Sequence, residues 1–244
     1  MITVNDIRIT LGDKTIVQDV SFQIPQGKIL MLLGENGCGK TTLIKGLLQE
    51  YPLAKGSVTF NGSNVQTLSY KQRAAIFSYI PQIKEMADQM TCKDVIVSGL
   101  DRFLHFLQIP GPPEYAKAKQ ILQQFQIEEV FDQRIDQISG GQLQLVYLCR
   151  AFLQDASCIL MDEPCTYLDF IKQHAFLEHT RNLTKQGHSV VISIHDPNLA
   201  LAYGDEILFM HQGKLLADIK KEETDMRQAL RDLYQKTYQR EILF

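Results

Sequence analysis

A short apolar run, Ile29–Leu33, opens directly into the nonapeptide GENGCGKTT, Gly34 to Thr42. A continuous apolar run of five residues reads as a strand buried on both faces. The glycines that follow let the backbone turn tightly and bring several N–H groups onto phosphate oxygens. Lys40 adds a point charge for the β- and γ-phosphates, and the Thr41 hydroxyl can ligate Mg²⁺. A helix is expected to start here, so its positive end also faces the anion. Strand, phosphate loop and helix in this order commit the chain to an α/β architecture that holds a nucleoside triphosphate on Gly34, Glu35, Asn36, Gly37, Cys38, Gly39, Lys40, Thr41 and Thr42.

The rest of the chain extends that pattern. Further apolar runs at Ile76–Ile80, Cys158–Met161 and Val190–Ile194 read as parallel core strands. Helical stretches are expected between them, over Thr41–Gln49, Leu143–Gln154 and roughly Ile171–Lys185. Alternating apolar residues at Ile2, Val4, Ile7 and Ile9, then at Ile16, Val20, Phe22 and Ile24, predict a small antiparallel sheet. Ser57–Asn64 joins it, turning at Asn61-Gly62. A hairpin over Ile207–Ala217 turns at Gln212-Gly213, and the tail from Glu222 reads as an amphipathic helix with a short apolar end. The stretch from about Ile83 to Gln137 has helical patterning on both sides of the turn-rich Ile109–Pro113. It reads as a helical subdomain inserted between core strands.

Composition narrows the function classes. Net charge is −3, so no broad basic field for nucleic acid is present. No apolar run approaches the ~20 residues of a membrane-spanning helix. The beginning of the sequence does not read as a secretory signal. Five scattered cysteines form no CxxC pair and read as reduced thiols. Cys38, inside the phosphate loop, reads as a small side chain that the loop tolerates.

Two carboxylates, Asp162 and Glu163, end the Cys158–Met161 run. Ligand crevices of open α/β sheets lie at such strand ends. Asp162 suits Mg²⁺, directly or through water. Glu163 suits the general base that orients water toward the γ-phosphate. Ser139-Gly140-Gly141-Gln142 precedes an apolar-periodic helix and exposes N–H groups at its start, a second place for an anion. Gln82 ends the segment Ser78–Gln82 at the entrance to the insert, where its carbonyl can approach Mg²⁺ or the attacking water. His195 follows the Val190–Ile194 run.

The order of these motifs, with ISGGQ, CILMDEP, YLD and ISIHD following the phosphate loop, resembles the ATP-binding cassette (ABC) family along nearly the whole chain. The resemblance implies a P-loop NTPase core (1–82 and 150–217) with a mostly parallel sheet and a small antiparallel β part. It adds a helical subdomain (83–149) carrying the signature Ser139–Gln142, and a helical tail (218–244). It further implies ATP and Mg²⁺ as ligands and ATP hydrolysis as the reaction. Ser139–Gln142 would bind the γ-phosphate held by a partner chain, making a head-to-tail homodimer around two ATPs. His195 would contact the γ-phosphate with Glu163 in place, and Gln82 would report nucleotide state. Asp169 would meet the dimer partner, or alternatively serve as a helix N-terminal acid.

Three positions depart from the family pattern. Thr10-Leu11-Gly12-Asp13 lacks the aromatic residue on which many members stack adenine, leaving Leu11 to offer apolar contact. Leu143 stands where Arg or Lys is common, and Cys165 where Thr is usual. The NGCGK form of the loop, the segment Gly99–Pro113 and ISIHDPNLA are similar to the importers of iron-siderophore, haem or vitamin B12 ligands. That likeness implies a separate pair of membrane permeases, a substrate-binding protein outside the cell, and a place for this chain at the cytoplasmic membrane face. An exporter ATPase subunit and a soluble, non-transport cassette ATPase remain the alternatives.

Overall fold

A computed structural model describes residues 1–82, 89–105 and 108–239. Three stretches of the reading above lie outside them: the start of the insert (83–88), residues 106–107, and the apolar end of the tail (240–244). The chain divides into two compact units, residues 1–68 with 184–244, and residues 69–183.

In chain order the first unit begins with β1 (Ile2–Leu11), β2 (Lys14–Ile24), β3 (Ile29–Leu33), α1 (Lys40–Leu47), β4 (Lys55–Phe60) and β5 (Ser63–Asn64). The second unit holds α2 (Tyr70–Ile76), β6 (Phe77–Ile80), α3 (Cys92–Val97), α4 (Pro112–Gln124), α5 (Gly140–Gln154), β7 (Cys158–Asp162) and nearly all of α6 (Phe170–Lys185). The chain returns to the first unit with β8 (Ser189–Ile194), α7 (Pro197–Tyr203), β9 (Glu206–His211), β10 (Lys214–Lys220) and α8 (Met226–Tyr238).

The first unit carries two sheets. One is antiparallel, in the order β2-β1-β4-β5. Ile2, Val4, Ile7 and Ile9 of β1 are all buried, although the spacing between Val4 and Ile7 breaks strict alternation. The register shifts there, beside Asp6 at φ 48°, and returns the apolar side chains to one face. The other sheet runs β10-β9-β3-β8, with β3 parallel to both neighbours and β10 antiparallel to β9. Every residue of β3 and β8 is buried, as continuous apolar runs require of strands covered on both faces. The two predicted turns form as expected. Asn61-Gly62 (φ 48° and 84°) and Gln212-Gly213 (φ 46° and 79°) both hold the paired positive φ that matches strand twist in tight hairpins.

In the second unit β6 and β7 pair in parallel, with Ile80 opposite Met161. One expectation fails here: Ile76 does not begin a strand but closes α2. Ser69 and Gln72 cap that helix reciprocally, and the chain enters β6 only at Phe77. The tail helix likewise begins later than Glu222, at Met226, where Asp225 accepts from the N–H groups of Arg227 and Gln228. All five cysteines are buried and outside any disulfide. Among the described residues no helix is long and apolar enough to cross a membrane.

Candidate active site

On the first unit the parallel register brings three strand ends to one edge. Leu33 of β3 pairs with Ile194 of β8 and with Phe209 of β9. The residues that follow them, Gly34, His195 and Met210, therefore leave the sheet side by side, at the carboxyl ends where open α/β sheets bind ligands. His195 is exposed directly after a fully buried strand, and Asp196 behind it caps α7 through the Asn198 N–H (2.8 Å). Leu11, at the end of β1, is exposed.

The phosphate loop is shaped by close backbone approach. A Cβ on Gly34 would lie 2.3 Å from the Met210 carbonyl oxygen and 2.7 Å from Cys38 Sγ, so no other residue fits. Gly39 precedes α1 at φ 110° and provides no side-chain cap, leaving the helix entrance to its own N–H groups. Glu35, Asn36 and Gly37 are exposed, whereas Cys38, Gly39 and Lys40 are buried. Lys40 Nζ donates to the carbonyl oxygens of Gly34 (2.8 Å) and Glu35 (3.1 Å), which folds its charge over the loop. Thr41 is exposed and Thr42 half-buried at the start of α1. Burial pushes the Cys38 thiol up, against the pull of Lys40, which keeps it a neutral packing group.

On the second unit the carboxylates and Gln82 converge. Gln82 follows β6 by two residues, and Asp162 and Glu163 continue past Met161 on β7. Gln82 Nε2 donates to Glu163 Oε2 at 3.0 Å. Sequence reasoning assigned Gln82 a role through its carbonyl; here its amide nitrogen holds the glutamate. Thr166 Oγ1 donates to the Glu163 carbonyl oxygen at 3.1 Å. Glu163 adopts φ 46°, the left-handed region that an L-residue occupies at a cost. Asp162 is 1 % exposed. Gln82 and Asp162 on this unit, like Thr41 on the first, carry hard oxygen donors of the kind that Mg²⁺ takes. Among the described residues no group of three or more His, Cys, Asp or Glu forms a metal cage.

The signature segment is a capping box. Ser139 Oγ accepts from the Gln142 N–H (3.3 Å), and Gln142 Oε1 accepts from the Ser139 N–H (3.1 Å). Gly140, at the helix start, remains exposed. Leu143 is buried, so an apolar residue packs at the position where a basic one is common. Asp169 takes the helix-capping role: its carboxylate accepts from the Lys172 N–H at 2.9 Å and lies 3.3 Å from Lys172 Nζ. The Lys172 N–H chiefly, then its side chain, hold Asp169 below the usual carboxylate range. Tyr167, Phe170 and Ile171 around it are all strongly exposed.

A histidine that lies in none of these motifs, His211, belongs beside the loop. His211 Nδ1 lies 2.9 Å from Glu35 Oε1. The two residues are far apart in sequence, and only the β3–β9 register brings them together, so no local pattern could announce it.

The sequence profile of the ABC transporter family matches residues 17–166, more than half of the chain. The achromobactin transport ATP-binding protein CbrD of Dickeya dadantii is 31 % identical over 86 % of this chain and 78 % of its own length. The iron(3+)-hydroxamate import ATP-binding protein FhuC of Bacillus subtilis is 30 % identical over 98 % of this chain and 87 % of its own. The manganese transport system ATP-binding protein MntB of the same organism is 31 % identical over 88 % and 84 %. Among solved structures, MJ1267, an ATP-binding cassette of an ABC transporter, superposes with a TM-score of 0.84 at 23 % identity, over 98 % of this chain and 97 % of that one. A nucleotide loop, a strained glutamate gripped by a glutamine, a capped signature helix and these relatives agree on one conclusion: the chain belongs to the ABC transporter family and is one of its ATP-hydrolysing cassettes.

Proposed function

We propose that this cassette energises the import of a metal chelate through a separate pair of membrane permeases. The observation that carries the reading is the company of relatives at 30–31 % identity along 86–98 % of the chain, whose names specify achromobactin and iron(3+)-hydroxamate transport. The manganese relative keeps the cargo class as metal, bare or chelated. The chain would sit at the cytoplasmic membrane face, held there by the permease, with a binding protein delivering cargo from outside.

In this reading each residue has a defined task. The backbone of residues 34–42 and Lys40 bind the triphosphate, and Leu11 offers apolar contact to the base. Thr41 and Asp162 would each supply a hard oxygen to Mg²⁺, and the ion would supply neutralisation of phosphate charge. Glu163 orients the attacking water and accepts its proton. Gln82 keeps the Glu163 carboxylate aimed, and His195 donates toward the γ-phosphate. Ser139–Gln142 receives the ATP of a second copy in a head-to-tail pair. Asp169, with exposed Tyr167, Phe170 and Ile171 around it, suits that contact.

The experiment is purification of tagged chain from detergent-solubilised native membranes, with mass spectrometry of whatever accompanies it. Recovery with a polytopic permease and a metal-chelate binding protein is expected. Recovery from the soluble fraction with ribosomes or DNA, or with an export permease, would overturn the importer reading and leave the ATPase intact.

A further inference from the structure

The end of β9 and its turn brace the phosphate loop from outside the known motifs. Gly213 N donates to the Cys38 carbonyl oxygen (2.9 Å), and Gln18 N donates to the Gly213 carbonyl oxygen (2.8 Å). The turn is therefore fixed between the loop and β2 by backbone bonds. On this braced turn His211 presents Nδ1 at 2.9 Å from Glu35 Oε1. His211 Nδ1 is buried and makes no hydrogen bond there, so the contact is a close approach that becomes an ion pair when the ring carries a proton.

Behind His211 stands the C-terminal helix. The Tyr238 ring meets His211 edge-on, with centroids 5.4 Å apart and an interplanar angle of 88°. Tyr234 packs edge-on against Phe209 (5.1 Å) and lies 5.4 Å from Tyr238. Burial chiefly pushes the Tyr234 phenol up to about 12. An aromatic chain thus runs from α8 through His211 to the exposed part of the phosphate loop.

Glu35 is a poor residue for an anion cradle when left alone. Its negative charge stands in a loop that must receive a triphosphate, and like charges at such range repel. A partner that draws the carboxylate onto β9 relieves that repulsion and fixes the backbone at Gly34 and Glu35, whose carbonyls hold Lys40. We propose that His211 is a positioning residue for the phosphate loop, and that α8, through Tyr238 on the His211 ring, sets how firmly the loop is held and hence the affinity for nucleotide. The proposal rests on ATP as the ligand of residues 34–42.

The test measures ATP affinity by displacement of a fluorescent nucleotide, beside kcat and KM for hydrolysis, in the full chain. His211→Ala is expected to weaken ATP binding about three- to tenfold while kcat stays within about twofold. His211→Lys, which places a fixed cation beside Glu35, should recover most of the loss. In a Glu35→Gln background, His211→Ala should add nothing, because the contact is already gone. Tyr238→Ala should weaken binding in the wild-type background and have no effect once His211 is Ala. Should His211→Ala fail to fold, His211→Gln takes its place in the same cycle. Unchanged ATP affinity in the His211 variants, or an equal loss with and without Glu35, would overturn the proposal. Unsubstituted chain that binds no ATP would overturn the nucleotide reading and the proposal together.

Discussion

Glu163 is held in a left-handed backbone, φ 46°, a conformation that costs an L-residue roughly 1–3 kcal/mol. Two contacts hold it there: Gln82 Nε2 on its carboxylate and Thr166 on its carbonyl. A hydrogen bond to a charged group contributes about 1.5–3 kcal/mol. Gln82→Ala should therefore lower kcat roughly tenfold or more, with little change in KM for ATP, in a phosphate-release assay. A second residue governs stability and not catalysis. Glu206 on β9 is 7 % exposed, and burial first, then Asp218, push its carboxyl from 4.5 up to about 8. Between those values the folded chain holds a proton that the unfolded chain has released. The stabilisation is complete below the unfolded value and declines as pH rises toward and through the folded one. Melting temperatures of the wild type should fall from about pH 6 to pH 9, and those of Glu206→Gln should fall less steeply. A parallel decline in both would remove Glu206 from the account.

Two helices begin with the same reciprocal cap, and they separate stability from function. Ser69 and Gln72 start α2; Ser139 and Gln142 start α5. Removing either serine hydroxyl should cost about 1 kcal/mol. For a chain of this size that corresponds to a melting temperature lowered by about 2–4 °C. Ser69→Ala should show that loss with ATP turnover intact. Ser139→Ala should show the same thermal loss and a turnover defect besides, because its helix start is also the signature. Thermal scans read beside phosphate release distinguish the two. The parallel strands were legible in the sequence because burial on both faces writes an unbroken apolar run, as in Ile29–Leu33 and Val190–Ile194. The two hairpins were legible from Asn-Gly and Gln-Gly, which accept positive φ. The helix α2 was not seen because Ile76 and Phe77 continue the apolar run of β6 and extend the strand by pattern. The Ser69–Gln72 capping box was the signal that could have separated them.

At the level of the whole chain, the candidate motifs were legible because each lies in one short segment. Gly34–Thr42, Ser139–Gln142, Asp162-Glu163 and His195 could all be read without a fold. What could not be read were the partnerships made by sheet register. The grip of Gln82 on Glu163 depends on β6 lying beside β7, and the contact of His211 with Glu35 on β9 lying beside β3. Asp169 shows a further limit: the family resemblance implied a dimer contact, its position also allowed a helix cap, and the cap is what forms within one chain. The cargo is a different matter, since nothing in a nucleotide cassette needs to touch it. The most direct measurement is ATP hydrolysis by the chain purified from native membranes in whatever complex it forms, as wild type or as Glu163→Gln. Loss of general-base catalysis should lower turnover about 10²–10⁴-fold while the complex stays assembled and ATP stays bound uncleaved. Normal turnover by the intact Glu163→Gln complex would contradict the assignment of this chain as the motor.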